Sequence, residues 1–311
     1  MKDQRSLRLR LLFAGLTAAA VACPAAGRAA SLGQIPLPPT NPPPLHGPIL
    51  AYALFNWLLT AAVLVLLLRE AWRTRSLFPL AFIAGGALAA FVEPVFDGNI
   101  HVLFVYPPGM QPSWHFYNVP YPWYEIPGNS CLAGPVYWMY HKFRTGISAK
   151  ALWAYFFVWW GFDALQEVPG TLMGAYVYFG PHPFIIANWP VWIGMLAGLG
   201  FPLAGYAANA MRDSMSGARL WLAQVVLMPV VIYGCEVIAW PMWDTLNGGA
   251  SLLTTRIAAL ASLAFTATAY SVLVAVNARR QGARETAPAE TPQRGATLAQ
   301  AASGAEAPLA S

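Results

Sequence analysis

Charged residues are scarce in this chain of 311 residues, because Asp, Glu, Lys and Arg together make up only 10% of it. Soluble domains are usually about one quarter charged, so the deficit argues against an ordinary soluble domain. Cysteine is also rare, and Cys23, Cys131 and Cys235 are too few and too scattered for a disulfide framework or a thiolate metal site. A glycine-rich phosphate loop, a Gly-x-Ser-x-Gly elbow and a Cys-x-x-Cys pair are missing, so the chemistries they serve have no support.

Apolar sequence is abundant instead. Apolar residues make up 57% of the chain, and the mean hydropathy is +0.48. Repeated apolar runs of about 20 residues predict transmembrane helices, and 13 Trp with 13 Tyr fit aromatic belts at the membrane surfaces. The predicted fold is an all-α polytopic membrane bundle within residues 49–280. Its seven spans are expected at residues 49–68, 77–97, 127–141, 150–170, 184–208, 219–241 and 252–278.

The two ends of the chain differ from this apolar domain. Residues 1–30 have a basic head, an apolar stretch and a small-residue end, which indicates either a signal peptide or an uncleaved first helix. Residues 31–48 form a Pro-rich spacer. Residues 281–311 are rich in Ala, Pro, Glu and Thr and are predicted to be a disordered cytoplasmic tail.

Basic residues occupy every second connection between the predicted spans. The positive-inside rule places those connections in the cytoplasm. We therefore predict a multi-pass protein of the cytoplasmic (inner) membrane with the mature N-terminus outside and the C-terminus inside. Because the charges sit in short clusters, the net charge of +5 does not indicate a nucleic-acid partner. The basic clusters are Arg69, Arg73 and Arg75; Lys142, Arg144 and Lys150; Arg212 and Arg219; and Arg279, Arg280 and Arg284.

Carboxyl groups gather toward the other side of the predicted membrane. Within a helix their spacing is four or eight residues, which places each pair on one helical face. No Lys or Arg occurs between residues 76 and 141, 151 and 211, or 220 and 255. Buried carboxylates without cations must hold a proton, share hydrogen bonds or bind a cation. Unlike carboxyl groups suit general acid and base catalysis, and the catalytic candidates are Glu93, Asp97, Asp163, Glu167 and Glu236. A simple structural role at helix ends stays open for each of them.

Two long aromatic connections, residues 98–126 and 176–190, adjoin these acids. Long loops in compact folds are often lids or binding loops, and aromatic rings stabilise cations. A belt of aromatic residues at the membrane surface is the alternative interpretation. The substrate-binding candidates are His101, Tyr106, Trp114, His115, Trp123, Tyr124, Glu125, Tyr176 and Tyr178, with Asp244 and Arg256 from the last two spans.

Metal chemistry has weaker support. Paired acids on helical faces resemble the Mg-diphosphate sites of membrane prenyltransferases, but such sites also need cationic residues, and this side of the protein offers only Arg256. A di-iron centre needs Glu-x-x-His pairs, which the sequence does not contain. We therefore predict a site without metal or other cofactor.

A family resemblance follows from two stretches. LLLREAWRTRSLFPLAFIAGGALAAFVEPVFDGN is a basic turn followed by a helix that ends in an acidic pair, and FDALQEVPGTLMGAYVYFGPHP is an acidic helix that enters a Gly-Tyr-rich segment. Together with the aromatic loop between them, they resemble the AveC-like spirocyclase family, named after the avermectin spiroketal cyclase, over about residues 50–210. The resemblance implies an integral membrane protein that closes a lipophilic polyketide-like dihydroxy-ketone to a spiroketal, with dehydration in some members.

Three functions remain open at this point. The first is a cofactor-free membrane cyclase or dehydratase of the spirocyclase type, and an enzyme is the favoured interpretation. The second is a membrane terpene or carotenoid cyclase or hydratase, which uses the same acid chemistry on another substrate. The third is a non-enzymatic proton-coupled transporter or lipid-binding membrane protein. The expected partners are a lipophilic small molecule and membrane lipid, and the sequence does not fix the oligomeric state.

Overall fold

The computed structural model describes residues 46–106, 114–116 and 119–286. The predicted signal peptide, nearly all of the Pro-rich spacer and residues 287–311 of the predicted tail lie outside these residues. Within them the chain is a bundle of α-helices, as predicted, with three short strand pairs in the connections. The helices of the first half are α1 (His46–Thr74), α2 (Phe78–Ala89), α3 (Glu93–Asn99), α4 (Glu125–Cys131) and α5 (Ala133–Thr145).

The second half of the chain contains the longest helix, α10, which continues six residues into the segment predicted to be a tail. The helices of this second half are α6 (Ala149–Leu172), α7 (Val191–Arg212), α8 (Gly217–Glu236), α9 (Trp240–Asn247) and α10 (Leu252–Thr286). A short 3-10 turn, Val237–Ala239, joins α8 to α9. The strands are β1 (Val102–Phe104), β2 (Trp114–Phe116), β3 (Val119–Tyr121), β4 (Tyr176–Tyr178), β5 (Ile185–Ile186) and β6 (Trp189–Pro190).

Length and apolar composition make several of these helices compatible with a membrane protein. Among the described residues, four helical segments are long and apolar enough to cross a bilayer. The bent pair of α2 and α3 makes a fifth if it is counted as one span. A helix lies at each of the other predicted positions, but the total of seven spans remains a prediction. The four segments are Gly47–Thr74, Val191–Arg212, Gly217–Asn247 and Leu252–Ala283.

The second predicted span is broken rather than continuous. Helix α2 ends at Ala89, and α3 begins at Glu93 with a bend of 44° between the two helices. Pro94 explains the break, because it has no backbone N–H to donate to the carbonyl of Ala90, and its ring would clash with that carbonyl in a continuous helix. The break gives Glu93 and Asp97 a short helix of their own, whose direction differs from that of the apolar helix before it.

The fifth predicted span starts too early in the sequence interpretation. Residues 184–190 are not helical, because β5 and β6 pair antiparallel there and the helix begins at Val191. Ala187 and Asn188, which connect the two strands, have φ values of +50° and +63°. Positive φ at both central residues is the geometry of a tight hairpin turn, so the apolar side chains of this stretch belong to a hairpin.

Helix α7 occupies the centre of the bundle and packs against α5, α6, α8 and α10. Of its most apolar 18-residue window, 72% is buried, against 33% for the corresponding windows of α1 and α10. Small residues permit this close packing. Gly205 of α7 lies so near α5 that a Cβ atom there would be 2.6 Å from Met139 Cβ and 2.7 Å from the backbone nitrogen of Tyr140.

One end of the bundle collects basic residues from separate connections. The Asp213 carboxylate, just after α7, accepts a hydrogen bond of 2.6 Å from Arg144 at the end of α5. It also accepts one from Arg280 near the end of α10. The carboxyl ends of α5, α7 and α10 therefore meet at a basic end, as the alternation of charge along the sequence predicts. Of the catalytic candidates, Asp163, Glu167 and Glu236 lie toward the opposite ends of α6 and α8.

Replacing Gly205 with Ala should destabilise the bundle, because the new methyl group would push α5 and α7 apart. Overpacking of this kind costs about 1–3 kcal/mol, which exceeds the roughly 1 kcal/mol that Ala gains over Gly in helix propensity. Thermal unfolding of the purified protein in detergent measures the effect. The matched control is Gly161→Ala in α6, where a Cβ atom meets nothing within 4 Å. An equal or higher melting temperature for Gly205→Ala would contradict this packing.

Candidate functional site

All five catalytic candidates line one small cavity inside the bundle. Glu93 and Asp97 reach it from α3, Asp163 and Glu167 from α6, and Glu236 from the end of α8. The cavity has a volume of about 70 Å³. A water molecule needs roughly 10–15 Å³ on this measure, so the space suits a few waters or the tip of a ligand.

Apart from the acids, the cavity wall is apolar and amide-rich. Lys, Arg and His are absent from its described lining residues. The polar neighbours are Asn129, Gln166, Tyr178 and Tyr233, and the apolar wall includes Phe96, Ile193, Leu196, Phe201 and Ile232. Five carboxyl groups therefore share a confined space in which bound protons or hydrogen bonds, not ion pairs, must accommodate them.

Glu167 is held by two tyrosine hydroxyls. Tyr178 donates a hydrogen bond of 2.7 Å to Glu167 Oε2, and Tyr176 lies 2.9 Å from the same oxygen. The ring of Tyr176 packs directly on Gly170, where a Cβ atom would lie 2.4 Å from the ring. Gly170 is therefore needed for the close approach that brings this hydroxyl to Glu167. Both tyrosines belong to β4, so the connection between α6 and α7 supplies the donors.

Glu93 is held by a chain of two side chains. Asn129 Nδ2 donates a hydrogen bond to Glu93 Oε2, and Asn129 Oδ1 accepts one from the Tyr233 hydroxyl. Asn129 also donates to the backbone carbonyl of Glu125, at 3.1 Å, which fixes the amide within α4. The amide thus links α3, α4 and α8 at the cavity.

The other three acids have unsatisfied oxygens. Asp97 Oδ2, Asp163 Oδ2 and Glu236 Oε2 are buried, and none has a hydrogen-bond partner within the described structure. A buried carboxylate oxygen without a donor is costly. The cavity therefore contains two kinds of carboxyl group, two that accept donors and three that do not.

The connections that contain β1 and β4 form a cover beside this cavity, and Tyr178 of β4 is one of the lining residues. Strand β1 pairs antiparallel with β4, with Val102 opposite Tyr178 and Phe104 opposite Tyr176. His101, at the start of β1, stacks on Phe179 with ring centroids 4.8 Å apart. Its Nε2 lies 3.2 Å from Asn247 Oδ1 in α9. Burial lowers the pKa of His101 below its ordinary value.

His182 is a second histidine of the cover that the sequence interpretation did not select. Its ring stacks on Trp192 and meets Tyr178 edge-on, with centroid distances of 6.3 and 5.6 Å. Both ring nitrogens are buried, and the backbone of Ile100 and Phe179 provides the polar groups beside them. Burial, with a smaller effect from nearby His101, lowers the pKa of His182 to about 4. The neutral ring is thus part of the packing between the cover and α7.

Glu125 lies behind the cavity wall rather than in its lining. It is buried in α4, and its Oε1 has no partner within the described residues. A Cβ atom on Gly128 would be 3.0 Å from Glu125 Oε2 and 3.4 Å from Asn56 Nδ2. Asn56 of α1 is fully buried, with the hydroxyl of Tyr52 beside its amide. These polar groups form a second layer, joined to the cavity where Gln166 Nε2 donates to the Gly128 carbonyl at 2.9 Å.

The remaining substrate-binding candidates fall into three groups. Tyr124 is fully buried and donates to the Ala175 carbonyl at 3.2 Å, while the Tyr106 hydroxyl is buried without a described partner. Trp114 and His115 lie in β2, but their side chains are outside the described part of the structure. The third group is exposed and does not line the cavity; it consists of Trp123, Asp244 and Arg256. The ring centroid of Trp123 lies 6.5 Å from that of Trp57.

The sequence interpretation also missed Asn129, Gln166 and Tyr233, which line the cavity between the acids. A usable signal was present, because Gln166 lies between Asp163 and Glu167 and Tyr233 lies three residues before Glu236. Asn129 lies four residues after Glu125, but its hydrogen bond to Glu93 depends on the packing of helices that the sequence spacing does not connect.

Among the described residues, no group of three or more His, Cys, Asp or Glu is arranged to hold a metal ion. The absence of a cofactor remains a prediction of the sequence. No protein-family model, no curated protein and no solved structure matches this chain. The spirocyclase resemblance therefore also remains a prediction.

The two kinds of carboxyl group should differ in infrared spectra. Because Asp163 Oδ2 has no donor and no cation, we expect Asp163→Asn to remove a C=O stretch of a neutral carboxyl group at neutral pH. Glu167→Gln should instead remove a carboxylate band, since the hydroxyls of Tyr176 and Tyr178 donate to Glu167 Oε2. Asp244→Asn, which changes an exposed acid outside the cavity, provides the control difference spectrum. Identical bands for the Asp163 and Glu167 variants would show that hydrogen bonding does not separate these acids.

The buried His182 should make stability fall in acid. The unfolded side chain has a pKa of about 6.5, and the folded side chain has a pKa of about 4. The unfolded state therefore binds the extra proton between these values, so stability is greatest above pH 6.5 and declines as the pH falls toward 4. Melting temperatures measured across this range should decline less for His182→Gln than for the wild type. The control variant is His141→Gln, which replaces an exposed histidine. A pH dependence of the melting temperature that is the same in His182→Gln as in the wild type would contradict the assignment.

Proposed function

We propose that this protein is an integral membrane enzyme that closes or dehydrates a ring on a lipophilic substrate by carboxyl general acid and base catalysis, as a spiroketal cyclase does. The observation that supports the proposal is the cavity in which Glu93, Asp97, Asp163, Glu167 and Glu236 meet without a cation. Intramembrane ionisable groups mark functional sites by default.

The hydrogen bonds suggest how the roles divide. Glu167 accepts two tyrosine hydroxyls, which suits a carboxylate base. Asp163, one helical turn earlier on the same face, has an oxygen free of donors and is the proposed acid. Glu93, held by Asn129, is a second base, and Asp97 and Glu236 are further acids.

These roles balance the chemistry of spiroketal closure. The acid protonates a hemiketal hydroxyl, which leaves as water and gives an oxocarbenium ion. A second hydroxyl attacks that cation, and the base takes its proton. The net change is loss of one water, and the two carboxyl groups then need only exchange a proton to begin again. The rings of Phe96, Phe201 and Tyr178 provide aromatic walls for the cation.

The volume of the cavity sets a condition on this mechanism. Ligand pockets usually measure about 300–1,000 Å³, and the cavity measures about 70 Å³. A lipophilic substrate therefore requires the cover to move. We place that movement at the β1–β4 pair, since its displacement withdraws Tyr176 and Tyr178 from Glu167 and opens the space beside it.

The proposed arrangement in the membrane follows from the charge pattern. We propose seven spans, an inner-membrane location and a cytoplasmic basic end, with the acidic cavity on the extracytoplasmic side. The substrate would enter there from the outer leaflet, beneath the cover. A terpene or carotenoid substrate fits the same chemistry, and the metabolite found in the test below distinguishes it from a polyketide.

The small cavity also favours a second candidate function, a proton-coupled transporter. A space that suits a few waters, lined by five acids, can relay protons without any bond-making. Proteoliposomes loaded with a pH-sensitive dye distinguish the two functions. Proton flux that disappears in Asp163→Asn and Glu167→Gln, without any change in metabolites, would favour transport.

Loss of the acids should block ring closure in cells. Lipid extracts are compared between cells that carry the wild type and cells that carry Glu93→Gln, Asp163→Asn or Glu167→Gln. Each variant is present in the membrane at the same level as the wild type. General acid and base groups contribute about 10²–10⁴ in rate, so we expect product to fall by about a hundredfold or more. An uncyclised isomer or a species heavier by one water should accumulate.

The control for this experiment is Asp244→Asn, because Asp244 is an exposed acid that does not line the cavity. Its metabolite profile should match the wild type. Identical profiles for all four variants would overturn the catalytic assignment.

A further inference from the structure

A much larger cavity lies at the basic end of the bundle, away from the acids. It has a volume of about 780 Å³, within the usual range for ligand pockets. The turn between α1 and α2 forms one wall, and the connection between α7 and α8 forms the other. Nothing in the proposed mechanism uses this cavity.

The lining of this cavity is amphipathic, with a single formal charge. Arg212 is its cation, Ser76 and Ser216 provide hydroxyls, and no acid occurs among the described lining residues. Phe78 and Trp221 are part of the apolar wall. A ligand that matches these walls needs an anionic head and an apolar body.

The Arg212 guanidinium carries five N–H donors, and the hydroxyl of Tyr140 is hydrogen-bonded to it, so further donors remain for an anion. The neighbouring carboxylate, Asp213, already accepts hydrogen bonds from Arg144 and Arg280. The Arg212 guanidinium lies over the ring of Phe78 at 5.2 Å from its centroid, which positions a planar fork of donors at the cavity wall. Guanidinium groups bind phosphate oxygens through such paired donors.

The surface beside the cavity has the composition of a lipid-facing boundary. Trp72, Leu77 and Leu222 are 88%, 70% and 59% exposed. A second cavity of about 500 Å³ shares Ser76 and Leu77 with the first and is lined by Trp72 and Arg75. Exposed Trp and Arg at the end of apolar helices mark the level of lipid headgroups.

We propose that the large cavity binds an anionic phospholipid, with its phosphate on Arg212 and the two serines and its acyl chains along the exposed apolar helix surface. Basic pockets between membrane helices bind anionic headgroups where basic connections face an anionic leaflet. A soluble phosphate compound would leave the apolar walls of Phe78 and Trp221 without a partner.

Native mass spectrometry of the purified full-length protein in detergent tests this site. Phosphatidylglycerol and phosphatidylcholine are supplied at equal concentration, with inorganic phosphate as a third arm. A single arginine near a membrane surface contributes about fivefold in affinity, so we expect the wild type to retain phosphatidylglycerol at least about fivefold better than phosphatidylcholine. Arg212→Gln should lose this preference, and Arg212→Lys should retain part of it.

The matched control is Arg279→Gln, which removes an exposed charge near the end of α10. Arg279 lines neither the cavity of about 780 Å³ nor the adjoining cavity of about 500 Å³. This variant should keep the lipid preference. Equal losses in Arg212→Gln and Arg279→Gln would overturn a defined site in favour of diffuse attraction. Displacement of the lipid by inorganic phosphate at equal concentration would also overturn it, because the site would then recognise a free anion.

A second measurement does not depend on replacing Arg212. Brominated phosphatidylglycerol quenches tryptophan fluorescence at short range, and Trp221 lines the cavity. Quenching that saturates in the wild type should shrink in Trp221→Phe, relative to quenching by brominated phosphatidylcholine. Equal quenching in wild type and Trp221→Phe would place the lipid elsewhere.

Discussion

The cost of burying several carboxyl groups without a cation is the constraint on which this structure depends. A buried charge is tolerated only where donors or protons neutralise it. Glu167 and Glu93 have donors, and these donors come from other elements of the fold: Tyr178 of β4 donates to Glu167, and Asn129 of α4 donates to Glu93. Tyr233 of α8 in turn donates to Asn129. The packing of those elements and the state of the acids therefore depend on each other.

Irregular backbone is the means by which the chain brings these groups together. Straight apolar helices would leave acids at the ends of separate spans. The break before Pro94 turns α3 by 44° from α2, and the 3-10 turn at Val237–Ala239 ends α8 just after Glu236. In a membrane, irregular backbone is tolerated only where protein or a cavity surrounds it. Here the irregular segments flank the acidic cavity, so the breaks in the helices coincide with the proposed site.

Sequence reasoning succeeded where a short-range rule decides the outcome. Spacing of four residues placed Asp163 and Glu167 on one face of α6, and alternating charge placed Arg144 and Arg280 at one end. It failed where long-range packing decides. The segment of β5 and β6 resembles an apolar span because its side chains are apolar, but in the structure its two strands pair antiparallel around a turn with positive φ values. Asn129 and His182 owe their positions to neighbours that no spacing rule connects.

The separation of charge along α7 explains why hydrogen bonds must accommodate the acids. The helix has 22 residues, so it is about 33 Å long, close to the thickness of the hydrocarbon core. At that distance, with an effective dielectric constant of about 20, two unit charges attract by only about 0.5 kcal/mol. Arg212 and its basic neighbours therefore cannot neutralise the cavity from the opposite end. The acids must hold protons or accept donors among themselves, and that requirement keeps protons available for transfer at the site.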